Sequence, residues 1–411
     1  MSRRSSSDVL ELFSQKTWMK VCAPMVRYSK LQFRNLVKRY DCDLVFTPMI
    51  LADSFCKSAK ARDSEFTTNL FDTPLITQFA ANTVHDFVGA SYMVAPFCDG
   101  VDLNCGCPQR WAREMNLGCS LLKSPQKIFE LVKECRNRIS KPFTISVKLR
   151  IGENIQETIK VCQGLEHCGV SFITVHSRTP CNNTGPINED ALKILSQTVK
   201  VPLIGNGGVN SLDDAVGLQE RTGVKGVMVA NAILTNPAIF KGEKVTTRQC
   251  VQDWLDICYN STLTMEEHER TVAKDEANQC YAISEKPSSL TFQCFHHHLV
   301  FMLEKILNKK ERQVFNNLKQ FSTVQEFLAQ HLGIRPKLFG REHFVQSLPL
   351  NIHTESRDFL YNELKPPEES VCTEYDFLYD SSKSNGKFFE GKLTDEINED
   401  CDWTDMFYEN D

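Results

Sequence analysis

Eight short apolar runs recur through the first 240 residues, and their rhythm restricts the fold more than any other feature of the chain. They are KVCAPM (20–25), DLVFTP (43–48), PLITQF (74–79), GVDLNC (100–105), FTISVKL (143–149), SFITVH (171–176), VPLIGN (201–206) and KGVMVA (225–230). Each is rich in Val, Ile, Leu or Phe and bounded by Gly, Pro, Asp or Asn, as strands buried on both faces are. Segments of helical period lie between them. In SKLQFRNLVKRY (29–40), Leu31, Phe33, Leu36, Val37 and Tyr40 fall on one face and Arg34, Lys38 and Arg39 on the other, with Ser29 placed to cap the helix. SPQKIFELVKECRNRI (124–139) opens on a Ser–Pro pair, whereas NIQETIKVCQGLEHCG (154–169) and SLDDAVGLQERTG (211–223) close on glycine. Such alternation builds either a (β/α)8 TIM barrel or a doubly wound sheet. With no dinucleotide fingerprint after the first strand, the α/β barrel is the expected fold over 20–242.

The pattern changes after Phe240. VQDWLDICYN (251–260), FHHHLVFMLEKIL (295–307), ERQVFNNLKQF (311–321) and TVQEFLAQHLG (323–333) predict helices, hence a smaller all-helical domain over 243–335. A polar insertion, expected to be mobile, interrupts it at 262–290. Residues 1–19 form an N-terminal segment, and 336–411 read as an acidic C-terminal tail, expected to be disordered beyond about 365. No run of about 18 apolar residues is present and the N-terminus has no signal-like apolar stretch, so a soluble, cytoplasmic protein without membrane contact is expected. A monomer is expected.

The net charge of −5 conceals an asymmetry. Residues 366–411 carry fourteen acidic residues against three lysines, a net of −11, which leaves residues 1–365 at +6. A basic body with an acidic tail is compatible with a polyanionic partner and equally with a solvated surface. The seventeen cysteines are scattered without a C-x-x-C pair, which reads as free thiols rather than a metal site. His296, His297 and His298 are consecutive, so on a helix they point about 100° apart and cannot share an ion. No metal is expected.

In a (β/α)8 barrel, chemistry sits at the C-terminal ends of the strands. Polar residues unusual for strands gather there: Gln78, Asn104 and the following Cys107, Lys148, His176 and Asn206. Each alone reads as a satisfied structural group, but five successive strand ends form a pattern. GNGGV (205–209) and VMVANA (227–232) follow the last two strands, where backbone amides commonly cradle a phosphate.

APMVRYSKLQFR (23–34), LNCGCP (103–108), VKLRIG (147–152), HSRT (176–179), IGNGGV (204–209) and VMVANAILTNPAIF (227–240), in this order, resemble the tRNA dihydrouridine synthases. CFHHHLVFMLEKI (294–306) is similar to the eukaryotic dihydrouridine synthase 4-like branch, and the likeness runs over about 20–335. The resemblance implies reduction of a D-loop uridine of tRNA, at position 20a or 20b, with FMN as cofactor and NAD(P)H as electron donor. It implies Cys107 as the catalytic acid. Pro24, Met25 and Val26 would pack on the flavin, Gln78, Lys148 and His176 would contact its ring, and Asn206, Gly207, Gly208, Ala230 and Asn231 would hold its phosphate. Asn104, Arg110, Arg113 and Arg178 are candidate tRNA contacts. Two positions depart from the family pattern: Asn231 stands where an arginine is usual, and Ser177 where a glycine is common. The residues themselves fit this chemistry. Saturating C5–C6 of uracil needs a hydride and a proton, and a thiol with a pKa of about 8.5 still holds its proton at neutral pH. Two other readings stay open at this level: a flavin barrel acting on free pyrimidines, and a tRNA-binding protein without redox activity.

Overall fold

Because both faces of a barrel strand are covered, a short uninterrupted apolar run suffices to specify one. All eight runs become strands: β1 Met19–Cys22, β2 Leu44–Phe46, β3 Leu75–Ala80, β4 Gly100–Cys105, β5 Thr144–Arg150, β6 Phe172–His176, β7 Leu203–Asn206 and β8 Gly226–Val229. The computed structural model describes residues 8–345 apart from 183, 262, 279–286, 288–289 and 342. Every pairing is parallel, successive strands are neighbours, and β1 also pairs with β8, so the sheet closes on itself. The expected TIM barrel is the fold. An additional two-residue strand, Ile50–Leu51, extends the pairing of β3 at Phe79 and Ala80.

The two ends of the barrel interior differ in chemistry. At the N-terminal end Met19, Val21, Leu44, Phe46, Ile76, Phe172, Ile204 and Met228 form one apolar cluster. A helix that the sequence pattern did not announce, Val9–Gln15, closes this end: Val9 and Phe13 join the cluster, and the Phe13 ring lies 5.5 Å from that of Phe172. Asp8 caps it by accepting from the Leu10 and Glu11 amides. Thus the bottom is sealed, and the polar strand ends face the opposite mouth.

The first outer helix corrects two expectations. It runs Leu31–Arg39 with Lys30 as N-cap, while the Ser29 hydroxyl instead donates to the Met25 carbonyl and accepts from the Met25 amide. Arg34, assigned by periodicity to the polar face, is 1% exposed. Its Nη2 donates to Asp72 Oδ2 at 2.7 Å and to the Thr67 carbonyl at 2.7 Å, and its Nη1 donates to the Ser29 carbonyl at 2.7 Å. The buried ion pair therefore ties the turn after β1 to the segment leading into β3. A 3.6-residue period cannot show this, since the partner lies 38 residues away.

The helices expected after the barrel form as Arg248–Asn260, Phe292–Leu303, Lys309–Asn316 and Phe321–Leu332. Within the polar stretch 262–290, Met265–Asn278 is also helical, and its buried His268 hydrogen-bonds the Phe339 carbonyl. Residues 336–341, placed in the tail by the sequence pattern, pack on helix Arg248–Asn260: the Lys337 amide donates to Asp256 and the Phe339 amide to Asn260. The acidic stretch 366–411 lies outside the described residues.

Removing one partner of the buried pair leaves an uncompensated charge. Arg34→Met is expected to lower the unfolding free energy by about 3–5 kcal/mol in urea denaturation, and the double variant Arg34→Met/Asp72→Leu to recover much of that loss.

Candidate active site

Strand register sets the polar mouth. Gln78 pairs with Asp102, Asn104 with Lys148, Lys148 with Thr174, Arg150 with His176, and His176 with Asn206. Alternate residues of a strand share a face, so these groups stack in layers above the apolar cluster. Gln78 and Asp102 are buried, and the Gln78 Nε2 donates to Asp102 Oδ2 at 2.8 Å. Ser146 Oγ donates to the other Asp102 oxygen at 2.7 Å. Burial pushes the Asp102 carboxyl up to about 6, opposed by these hydrogen bonds and by the positive charge of Lys148. His176 is held far below the ordinary histidine range, first by burial and then by Lys148, Arg150 and Arg178 around it, so its imidazole is neutral. Thr174, level with Lys148 and two residues before His176 on the same strand, keeps a buried hydroxyl with no hydrogen-bond partner among the described residues.

The loop after β4 carries Cys107 and is held on three sides. Asn104 Oδ1 accepts from the amides of Gly106 (3.2 Å) and Cys107 (3.0 Å). Arg150, 3% exposed, donates from Nε to the Gly106 carbonyl at 3.0 Å. The Cys119 amide donates to the Cys107 carbonyl at 3.0 Å. That last contact requires a glycine next door: Gly118 has φ +59°, and a Cβ there would stand 2.5 Å from the Cys107 carbonyl oxygen. Burial raises the Cys107 thiol above its ordinary value, while Arg150 and Lys148 pull the other way. The group is thus a protonated thiol with cations close enough to stabilise its thiolate. Cys105, by contrast, is fully buried.

Beyond β7, Gly207 (φ +115°) and Gly208 (φ +71°) sit in left-handed backbone, and on the side where a Cβ would lie the His176 ring (3.0 Å) and Ile187 (2.9 Å) leave no room for one. Beyond β8, the short helix Asn231–Thr235 begins at Ala230 without a capping side chain. Bare glycine backbone and an uncapped helix start, side by side, suit a phosphate group. Asn206 supports this corner through backbone ties: its Nδ2 donates to the Met228 carbonyl, and its own carbonyl accepts from both the amide and the hydroxyl of Ser177. The serine that replaces the common glycine at 177 thus adds a link between β6 and β7. Between β1 and the first helix, Pro24 and Met25 are partly buried and Val26 is exposed. Arg27 follows at φ +69°, and Tyr28 is gripped by the helical region. His298 Nε2 donates to the Tyr28 carbonyl (3.0 Å), His297 meets the Tyr28 hydroxyl (3.1 Å), and Cys294 Sγ donates to the Arg27 carbonyl. His296 turns away to the Phe315 carbonyl. Among the described residues no group of His, Cys, Asp and Glu is arranged to hold a metal.

Most residues singled out in the sequence come together at this mouth: Gln78, Asn104, Cys107, Lys148, His176 and Asn206 on adjoining strands, with Gly207, Gly208, Ala230 and Asn231 beside them. Asn104, read as a substrate contact, spends its side chain holding the loop and donating to Gln78 Oε1 at 3.0 Å. Arg178 lines the site with Nη1 3.5 Å from His176 Nε2, and its Nε donates to the Gly185 carbonyl. Arg110 and Arg113 lie exposed on the short helix Arg110–Glu114, where Arg110 pairs with Glu114. Between them Trp111 packs, as Cys107 does, against a small apolar cluster of Leu51, Ala80, Ala112 and Leu117. The sequence reading missed Asp102, Arg150 and Gly118, which touch the site from below and behind.

Residues 21–330 match the family described as dihydrouridine synthase (Dus). A mouse protein named tRNA-dihydrouridine(20a/20b) synthase-like, NAD(P)+-dependent by its name, is 42% identical over 79% of this chain and 93% of its own. The human protein of the same name is 42% identical over 80% and 95%. A fission-yeast (Schizosaccharomyces pombe) tRNA-dihydrouridine(20a/20b) synthase is 34% identical over 80% and 92%.

Gly118→Ala would force a left-handed side chain against backbone, so a stability loss of at least about 1–2 kcal/mol is expected. Iodoacetamide labelling of Cys107, followed by peptide mass spectrometry, is expected to be faster in this variant than in the natural protein.

Proposed function

The chain belongs to the dihydrouridine synthase family, and from that premise we propose that it reduces the C5–C6 double bond of a D-loop uridine in tRNA, at 20a or 20b, with FMN as cofactor and NAD(P)H as electron source. One observation carries the reading. Cys107 sits on a loop fixed from three sides at the mouth that also holds Gln78, Lys148 and His176. The residues fit a flavin nucleotide on this structure's own terms: a side-chain amide, a cation and a neutral imidazole lie on neighbouring strands, and the positive-φ glycine backbone beside them carries no side chain. Gln78, Lys148 and His176 would hold the ring system, and the backbone at Gly207, Gly208, Ala230 and Asn231 would hold the phosphate. Bound there, the flavin supplies the hydride, taken originally from NAD(P)H.

The rest is work for the protein. A base stacked in folded RNA must be turned out into the mouth to be reached. Arg110, Trp111 and Arg113 stand beside the Cys107 loop, with charge for phosphate and an indole face for stacking. Cys107 Sγ holds the proton that one carbon of the uracil receives while the other receives the hydride. Arg150 and Lys148 then stabilise the thiolate until water returns a proton. The neutral His176 adds no positive charge of its own to this region.

Two outcomes test the reading. In Cys107→Ala loaded with FMN, reduction by NADPH is expected to be unchanged, while dihydrouridine formation falls by about 10²–10⁴-fold, the usual weight of a general acid. Loss of both, or of neither, contradicts the assignment. The pH dependence has a definite sign: an acid must be protonated to act, so its contribution vanishes as pH rises through its pKa, which burial has moved upward. The single-turnover rate of tRNA reduction is therefore expected to stay level between about pH 6.5 and 8.5 and to fall only above the ordinary thiol range.

A further inference from the structure

Asp102 has no place in the reading above, yet it stands at the root of the site. Its carboxylate is fully buried in β4. Oδ1 accepts from Ser146 Oγ at 2.7 Å and Oδ2 from Gln78 Nε2 at 2.8 Å. Gln78 Oε1 accepts from Asn104 Nδ2 at 3.0 Å, and Asn104 Oδ1 accepts from the Gly106 and Cys107 amides at 3.2 and 3.0 Å. A continuous line of hydrogen bonds thus runs from the barrel interior to the Cys107 loop.

The two ends of this line have fixed polarity, and the middle does not. An ionised carboxylate only accepts and a backbone N–H only donates, whereas a carboxamide does either when turned by 180° with little change of shape. With an acceptor at one end and donors at the other, a single orientation of Gln78 and Asn104 satisfies every group. If Gln78 turns round, its amino group faces that of Asn104. Asn104 must then turn too, which points its own amino group at the Gly106 and Cys107 amides. Packing alone would not select a carboxylate here, because burying a charge costs far more than burying a leucine of similar size.

We propose that Asp102 is a positioning residue for the reduction: through the amides of Gln78 and Asn104 it sets both the side chain that would meet the cofactor and the loop that carries Cys107. The proposal rests on the roles assigned above to Gln78 and Cys107.

The test compares Asp102→Ala, Gln78→Leu, their double variant and Asp102→Asn in the full chain. Iodoacetamide labelling of Cys107, resolved from the other cysteines by peptide mass spectrometry, is measured first on protein without cofactor. Each of the first two variants is expected to speed labelling by about tenfold, and the double variant to be no faster than either, as coupled residues behave. Asp102→Asn, which keeps an oxygen for Gln78, is expected to stay within about twofold of the natural protein. With FMN bound, Asp102→Ala is expected to shift the visible flavin spectrum and to lower kcat while KM for tRNA holds, and Asp102→Asn to restore both. Unchanged labelling in Asp102→Ala, or effects that multiply in the double variant, would overturn the proposal. Should Asp102→Ala fail to fold, Gln78→Leu against Asp102→Asn decides it by the same readout. If the natural protein takes up no FMN, the functional reading fails while the labelling still judges Asp102.

Discussion

The candidate site depends on the Asn104 side-chain oxygen, which accepts the amides of Gly106 and Cys107 and so fixes the turn out of β4. A loop at a barrel mouth has solvent on one side and no ladder to hold it. Here Arg150 holds the Gly106 carbonyl from the next strand, and the Cys119 amide holds the Cys107 carbonyl from the following segment, an approach that only glycine at 118 permits. The thiol is thereby carried on rigid backbone. A proton donor must meet its target within hydrogen-bond reach, and a loop free to wander would forfeit much of that advantage.

Electrostatics organise the rest of the mouth. Lys148, Arg150 and Arg178 surround His176 and, with burial, keep it neutral. Arg150 and Lys148 also oppose the burial that raises the Cys107 thiol, and Lys148 opposes the burial that raises Asp102. A positively charged mouth suits both an anionic cofactor and a polyanionic substrate. The helical region contributes by gripping the turn after β1 through Cys294, His297 and His298, so two of the three consecutive histidines serve as part of a brace.

Much of the barrel was legible in the sequence because its strands are buried on both faces and so write themselves as unbroken apolar runs. The candidate site was legible because Gln78, Asn104, Lys148, His176 and Asn206 are polar residues where an apolar strand should end. What was not legible has a common cause. Arg34 looked like surface because its helix period places it there, and only the fold brings Asp72 against it. Asp102 is an acid within an apolar run, and nothing in the chain says that Ser146, 44 residues on, will meet it. Gly118 is one glycine among nineteen, singled out only by the carbonyl it must clear. The helix Val9–Gln15 is too short for its period to stand out, though Phe13 completes the barrel floor.

The account is tested most directly by the mass of the substrate. Unmodified tRNA is incubated with the FMN-loaded protein and NADPH, then digested and examined fragment by fragment. The account predicts a D-loop fragment heavier by about two mass units, the two hydrogens added across C5–C6, with NADPH consumed in equal amount. Oxidation of NADPH with every tRNA fragment unchanged in mass would contradict it.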